Sequence, residues 1–293
     1  MKKKIPFGKS LAIIGGILFI IALWYLIAFL LRSQENYGVS YPHETLALAF
    51  KMLFTDDPEG VYKAKKTWEG IGYSLLRLII GYSISFLLAA LLGVLAGLYP
   101  RIGDFFKPSV GLMKTVPTVG LVMILFALTL AVDHRYLGWI PVTLVFVVAF
   151  PLLFEAFKAG IRNENPDVLD ALSLEAGISN PKAVFYVLLP DSLPYIRLGI
   201  AQSLGLSFKV LVMAEVLTAS NQTRGLGCLI AQSRIVSYDG GLAEIPSYVL
   251  IALAIMALID IPCVLLKRLG VDENGTETKQ KPRRAKEKIE ANR

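Results

Sequence analysis

Apolar residues along this chain gather into runs of about twenty, the length that crosses a hydrocarbon core. Six runs stand out, at residues 11–31, 74–98, 109–132, 137–157, 195–219 and 245–266. The third is interrupted by Pro117, and the second carries Gly93 and Gly97 as a GxxxG pair. Such a pair suits close helix approach, although glycine is also ordinary in membrane helices. The pattern predicts an all-α integral membrane protein with six transmembrane helices. Residues 32–72 are polar, with Pro42 and a turn at Asp56-Asp57-Pro58-Glu59-Gly60. Within them Leu46, Leu48, Ala49, Met52 and Leu53 predict a short amphipathic helix at the membrane surface. Residues 99–108 read as a short loop carrying Arg101 and Lys107, and Asp133-His134-Arg135 as a tight turn. The polar stretch 220–244 contains Arg224-Gly225-Leu226-Gly227, which suits a re-entrant turn or a plain loop alike.

One polar segment is itself patterned as helix, the loop at residues 161–194. Asn165-Pro166-Asp167 supplies an N-cap, a first-turn proline and an acid at the positive helix end. Val168, Leu169, Leu172 and Ala176 follow at helical spacing and form one apolar face. Gly177 ends that helix, because glycine reaches the left-handed conformation of a C-terminal cap. Ser179-Asn180-Pro181 starts a second short helix, and Pro190 and Pro194 precede the fifth span. Two capped helices about a glycine turn suit a docking device; the alternative is an interfacial helix-turn-helix without a partner.

Composition agrees with the membrane reading. Of 293 residues 55% are hydrophobic and 18% charged, where soluble domains carry nearer a quarter. The net charge of +7 does not form a folded basic face, so no nucleic-acid partner is expected. Lys2, Lys3, Lys4 and Lys9 precede the first span; Lys267, Arg268 and a tail with Lys279, Lys281, Arg283, Arg284, Lys286 and Lys288 follow the last. Flanking charge of this kind marks the cytoplasmic side, so both termini are expected inside. Lys63, Lys65 and Lys66 sit awkwardly for an external segment, although nearby acids offset them.

These signals divide the chain into a basic N-terminus (1–10), a first helix with an external segment (11–72), a transmembrane core (73–267) and a basic disordered tail (268–293). The first apolar run is long and lacks a small-x-small site, and so reads as a retained span rather than a cleaved signal. Cys228 and Cys263 show no CxxC spacing, and His43 and His134 stand alone, so neither a metal site nor a disulfide framework is expected. Gly8-Lys9-Ser10 is not a phosphate loop, since position 3 is Lys where glycine is required.

Charged residues within the apolar runs include Lys114 near the start of the third, and Lys209 and Glu215 in the fifth. A charge at mid-bilayer costs roughly 2.5–3.5 kcal/mol on insertion scales, so such residues face protein or water and have partners. Lys114, Pro117, Lys209 and Glu215 are candidates for a pathway that accepts an anion. The other reading is of interhelical ion pairs that fix packing, which we favour. Lys209 and Glu215 are six apart and point to different faces, so they do not pair with each other. Asp260 lies within two turns of Lys267 and is expected to pair near the inner surface.

The 161–194 loop resembles the Glu-Ala-Ala loop of permease subunits in binding-protein-dependent ABC importers. Gly177 is followed at the family's distances by Val187, Leu189 and Pro190. Ala171, Leu172 and Ser173 stand where Glu-Ala-Ala belongs, with Asp170 one residue early and Glu175 later. Met113-Lys114-Thr115-Val116-Pro117 and the stretch Ser207 to Glu215 look like the nitrate/sulfonate/taurine branch, as do Gly225-Leu226-Gly227 and Asp260.

The resemblance spans roughly residues 68–269 and implies a permease for a small polar or anionic solute such as a sulfonate, taurine, nitrate or a vitamin precursor. It implies a homodimer in the inner membrane of a bacterial or archaeal cell, two ABC ATPase subunits and an extracytoplasmic substrate-binding protein. It also implies no cofactor on this chain, with ATP used by the partner. The implied ATPase-coupling residues are Val168, Leu169, Asp170, Ala171, Leu172, Gly177 and Pro190. An ion-gradient-driven secondary transporter is the alternative; such a carrier more often shows inverted repeats. A membrane-embedded enzyme would need converging His, Cys or acidic residues, and here they are scattered.

Overall fold

The computed structural model describes residues 7–32, 40–58, 62–162, 184–220, 223–236 and 244–270, and every regular element among them is helical. The principal helices are α1 (Phe7–Arg32), α2 (Pro42–Phe54), α3 (Ala64–Leu98), α4 (Pro100–Thr115), α5 (Thr118–Val132), α6 (Ile140–Arg162), α7 (Leu193–Leu217), α8 (Leu226–Val236) and α9 (Glu244–Gly270). Short helical turns at His134–Trp139 and Val184–Leu188 precede α6 and α7. Five helices are long and apolar enough to cross a membrane, and the pair α4–α5 makes a sixth if it is counted as one broken span.

Three expectations are corrected. The second span does not begin at 74, because α3 starts ten residues earlier at Ala64 and runs for 35 residues. Residues 99–108 are not a loop. Tyr99 caps a helix that opens with Pro100 at its first position, where a missing N–H goes unnoticed, and runs on to Thr115. Residues after Gly225 are neither a plain loop nor a simple turn, since they form α8. The break foreseen at Pro117 is real. Val116 is extended (φ −64°, ψ 125°), as the residue before a proline prefers.

The chain divides into two compact units. The first comprises Met1–Arg77, Leu121–Pro141 and Leu211–Ile255; the second comprises Leu78–Gly120, Val142–Val210 and Met256–Arg293.

In the first unit α1 is apolar on every side and exposes nearly all of its length, as a lipid-facing helix does. It meets α2 at one end, where Trp24 Nε1 donates to Ser40 O at 3.1 Å and Tyr25 OH lies 2.9 Å from His43 Nδ1. The amphipathic helix predicted between the first two spans is α2. Pro42 opens it, and Glu44 accepts from Tyr41 N at 3.1 Å. Its buried Ala49 and Met52 join Ile71, Leu226, Leu229, Ile230, Tyr248 and Ile251 in one core, while Leu46, Phe50 and Phe54 face outward.

In the second unit the centre is α6, whose Ala149, Phe150, Leu153, Phe154 and Phe157 pack with Ala89, Ala96, Val110 and Ile196. Helix α3 approaches α6 through its glycines. A Cβ at Gly93 would lie 2.7 Å from Phe157 Cβ, and one at Gly97 would lie 2.6 Å from Ile161 Cβ. The GxxxG pair is therefore a helix-packing surface. Tyr82 and Ser203 add a hydroxyl pair at 2.8 Å between α3 and α7.

Candidate functional site

The densest polar arrangement among the described residues lies in the first unit, around Glu215. This side chain near the end of α7 is fully buried. A lone carboxylate there would be expensive, so its partners decide whether it is tolerated. Both oxygens are satisfied. Arg77 Nη1 donates to Oε1 at 2.7 Å; Ser74 Oγ donates to Oε2 at 2.6 Å, and Gly227 N does so at 3.0 Å. Ser74 Oγ in turn accepts from Leu226 N at 2.8 Å, and Arg77 also donates to Arg224 O.

These bonds have a structural consequence. The first N–H groups of a helix lack intrahelical partners, and at α8 Ser74 and Glu215 supply them from two other helices. The acid also stands at the positive end of α8. Glycines are required for so close an approach. Gly225 adopts φ +154°, and a side chain there would overlap the Glu215 carboxylate; a Cβ at Gly227 would lie 2.6 Å from Glu215 Cβ. Thus Gly225-Leu226-Gly227 is shaped to seat α8 on Ser74, Arg77 and Glu215.

Beside this cluster Cys228 is buried, its thiol 3.4 Å from Thr223 Oγ1. Burial pushes the thiol up from its ordinary value, more than the Thr223 hydrogen bond lowers it.

The other predicted residues belong to the second unit or to the loop segment. Lys114 pairs with Glu155 of α6, and both side chains are substantially exposed at 34% and 51%. Lys209 is exposed and has no ion-pair partner among the described residues. Pro117 is exposed at the α4–α5 break. Asp260 lies over Gly205, where a Cβ would stand 3.0 Å from its Oδ1; the Lys267 side chain is outside the described set. Of the expected coupling residues, Val168, Leu169, Asp170, Ala171, Leu172 and Gly177 fall outside the described residues. Pro190 is exposed within the short helix Leu189–Asp191 that leads into α7.

Sequence reasoning missed Arg77, Ser74 and Glu155. The signal for Arg77 was present as an arginine inside an apolar run. It was legible as an unexplained charge, not as the partner of a residue 138 positions away.

Long apolar helices, one of them broken at a proline, with a buried ion pair that seats a short glycine-led helix, describe a multi-pass membrane protein. The chain belongs to the family of binding-protein-dependent transport system inner membrane components, which it matches over residues 89–269. It is 25% identical over 256 residues to the taurine transport system permease protein TauC of Escherichia coli K12, covering 86% of this chain and 87% of that one. It is 28% identical over 240 residues to the putative aliphatic sulfonates transport permease protein SsuC of Bacillus subtilis 168, covering 79% and 78%. Identity to the nitrate import permease protein NrtB of Synechococcus elongatus is 26% over 184 residues, covering 61% and 62%. The resemblance drawn from the loop spacing and the fifth-span stretch is borne out, including the branch: the chain is an ABC importer permease.

Proposed function

We propose that this chain forms the translocation pathway for a small organic anion of the sulfonate or taurine type, moved inward at the expense of ATP hydrolysed by separate subunits. The observation that carries the solute class is similarity over most of the chain to permeases named for taurine and aliphatic sulfonates. Nitrate and vitamin precursors are the neighbouring solutes within the same reading. A permease of this kind works as a homodimer, because one copy cannot enclose a pathway. An extracytoplasmic binding protein delivers the solute, and both termini lie in the cytoplasm of a bacterial or archaeal cell.

The 161–194 loop is the coupling element. Val168, Leu169 and Leu172 insert apolar side chains into a groove of the ATPase, and Asp170 and Ala171 complete that helix. Gly177 fixes the angle to the second short helix, and Pro190 stiffens the lead into α7. Lys114, Pro117 and Lys209 are the candidates for contact with the moving anion. Glu215 is assigned the packing role, because its carboxylate is fully buried and both oxygens are taken up by three hydrogen bonds.

The test is a pull-down of the detergent-solubilised chain, wild type beside Gly177→Asp, with mass spectrometry of what is retained. An ATPase subunit held by wild type and lost by the variant supports the coupling role. No ATPase with either form, in mild detergent, favours a gradient-driven carrier instead.

A further inference from the structure

Next to the Glu215 cluster, and within the same unit, lies a cavity of about 360 Å³ lined by Lys66, Glu69, Arg224, Cys228, Leu229 and Gln232, among others. That volume is at the small end of the range for sites that hold small molecules. Its polar groups are underused. Neither the Lys66 ammonium nor the Gln232 amide has a hydrogen-bond or ion-pair partner among the described residues. Arg224 stands 3.8 Å from Glu69, beyond hydrogen-bonding distance, and 5.6 Å from the Tyr73 ring centroid. Two cations face one carboxylate, which leaves the lining one positive charge in excess. The neighbouring Arg77 and Glu215 cancel each other, and the N-terminus of α8 is already occupied by Ser74 and Glu215.

We propose that this cavity binds one small organic monoanion with a sulfonate head. Lys66 and Arg224 contact the oxyanion, and the Gln232 amide donates a further hydrogen bond. The apolar side of Leu229 receives the short carbon chain. Glu69 holds Arg224 while the cavity is vacant and repels a second negative charge, so a monoanion is preferred over sulfate. A ligand also accounts for Lys66, a cation on a segment that the charge rule would keep free of them. The proposal rests on the reading of the chain as a permease for small organic anions and adds a site within it.

The experiment is equilibrium binding of radiolabelled ethanesulfonate to the full-length chain with its co-purifying subunits, in nanodiscs without binding protein. Saturable binding of one anion per permease chain is expected, competed weakly by sulfate. Lys66→Gln and Arg224→Gln each weaken it about tenfold, as loss of a charge-assisted hydrogen bond implies. Glu69→Gln tightens it a few-fold, a gain that damage to the fold would not produce. No saturable binding, or binding unchanged by both cation variants, overturns the site. ATP-driven ethanesulfonate uptake by the complete importer is measured in parallel. Uptake without binding to the complex rejects the site alone, and binding without uptake rejects the transported class while keeping the site.

Discussion

Glu215 shows how a charge inside an apolar run becomes part of the fold. Its carboxylate is tolerated because Arg77 balances it and because Ser74 and Gly227 meet the second oxygen. Removing one member of a buried pair leaves the other uncompensated, which costs about 3–5 kcal/mol. Glu215→Ala is therefore expected to lower stability by that amount in thermal unfolding of the detergent-solubilised protein. Arg77→Ala/Glu215→Ala together should cost clearly less than the sum of the two single variants. Additive losses would show that the pair is not coupled. Cys228 allows a test of burial at the same spot. With its thiol pushed above the ordinary value, little thiolate exists near neutral pH, and the thiolate is the reactive form. In a Cys263→Ser background, maleimide labelling should be slow at pH 7 and should still be rising with pH beyond the range of a free thiol. Fast labelling at pH 7 would mean that the cavity wall is looser than the structure has it.

At the scale of elements, α3 contributes residues 64–77 to the first unit and 78–98 to the second. In the second unit its glycines set the distance to α6. Gly93→Leu is expected to destabilise by about 1–3 kcal/mol, the usual range for overpacking. Gly111→Ala should leave the melting temperature nearly unchanged, since nothing lies within 4 Å of a Cβ there. Equal effects at the two positions would remove the close-packing role of Gly93.

Much of this scale was legible beforehand, for a physical reason. Runs of twenty apolar residues have few alternatives to a membrane helix, so the spans, α2 and the break at Pro117 followed from local pattern. Helix ends in polar sequence were less visible. Residues 64–73 and 100–108 are helical although Lys65, Lys66, Arg101 and Lys107 make them read as loop. The Glu215 cluster was legible only in part, because the partners of a buried acid are chosen by tertiary approach and not by spacing. The glycines at 225 and 227 carried a trace of it, as places where something must come close.

For the whole molecule, the proposed function is that of a permease for a small organic anion whose energy comes from outside the chain. In the proposed coupling role, Gly177 is the residue on which that division of labour turns. If the proposed coupling role holds, Gly177→Asp should leave folding and ethanesulfonate binding unchanged and abolish uptake. The most direct measurement is therefore uptake of radiolabelled taurine and ethanesulfonate into proteoliposomes holding the permease, its ATPase subunits and the binding protein. Uptake is expected to need ATP and all three components, to persist when ion gradients are collapsed, and to be lost in Gly177→Asp. Uptake by the permease alone, driven by an imposed ion gradient and indifferent to ATP, would contradict the proposed function.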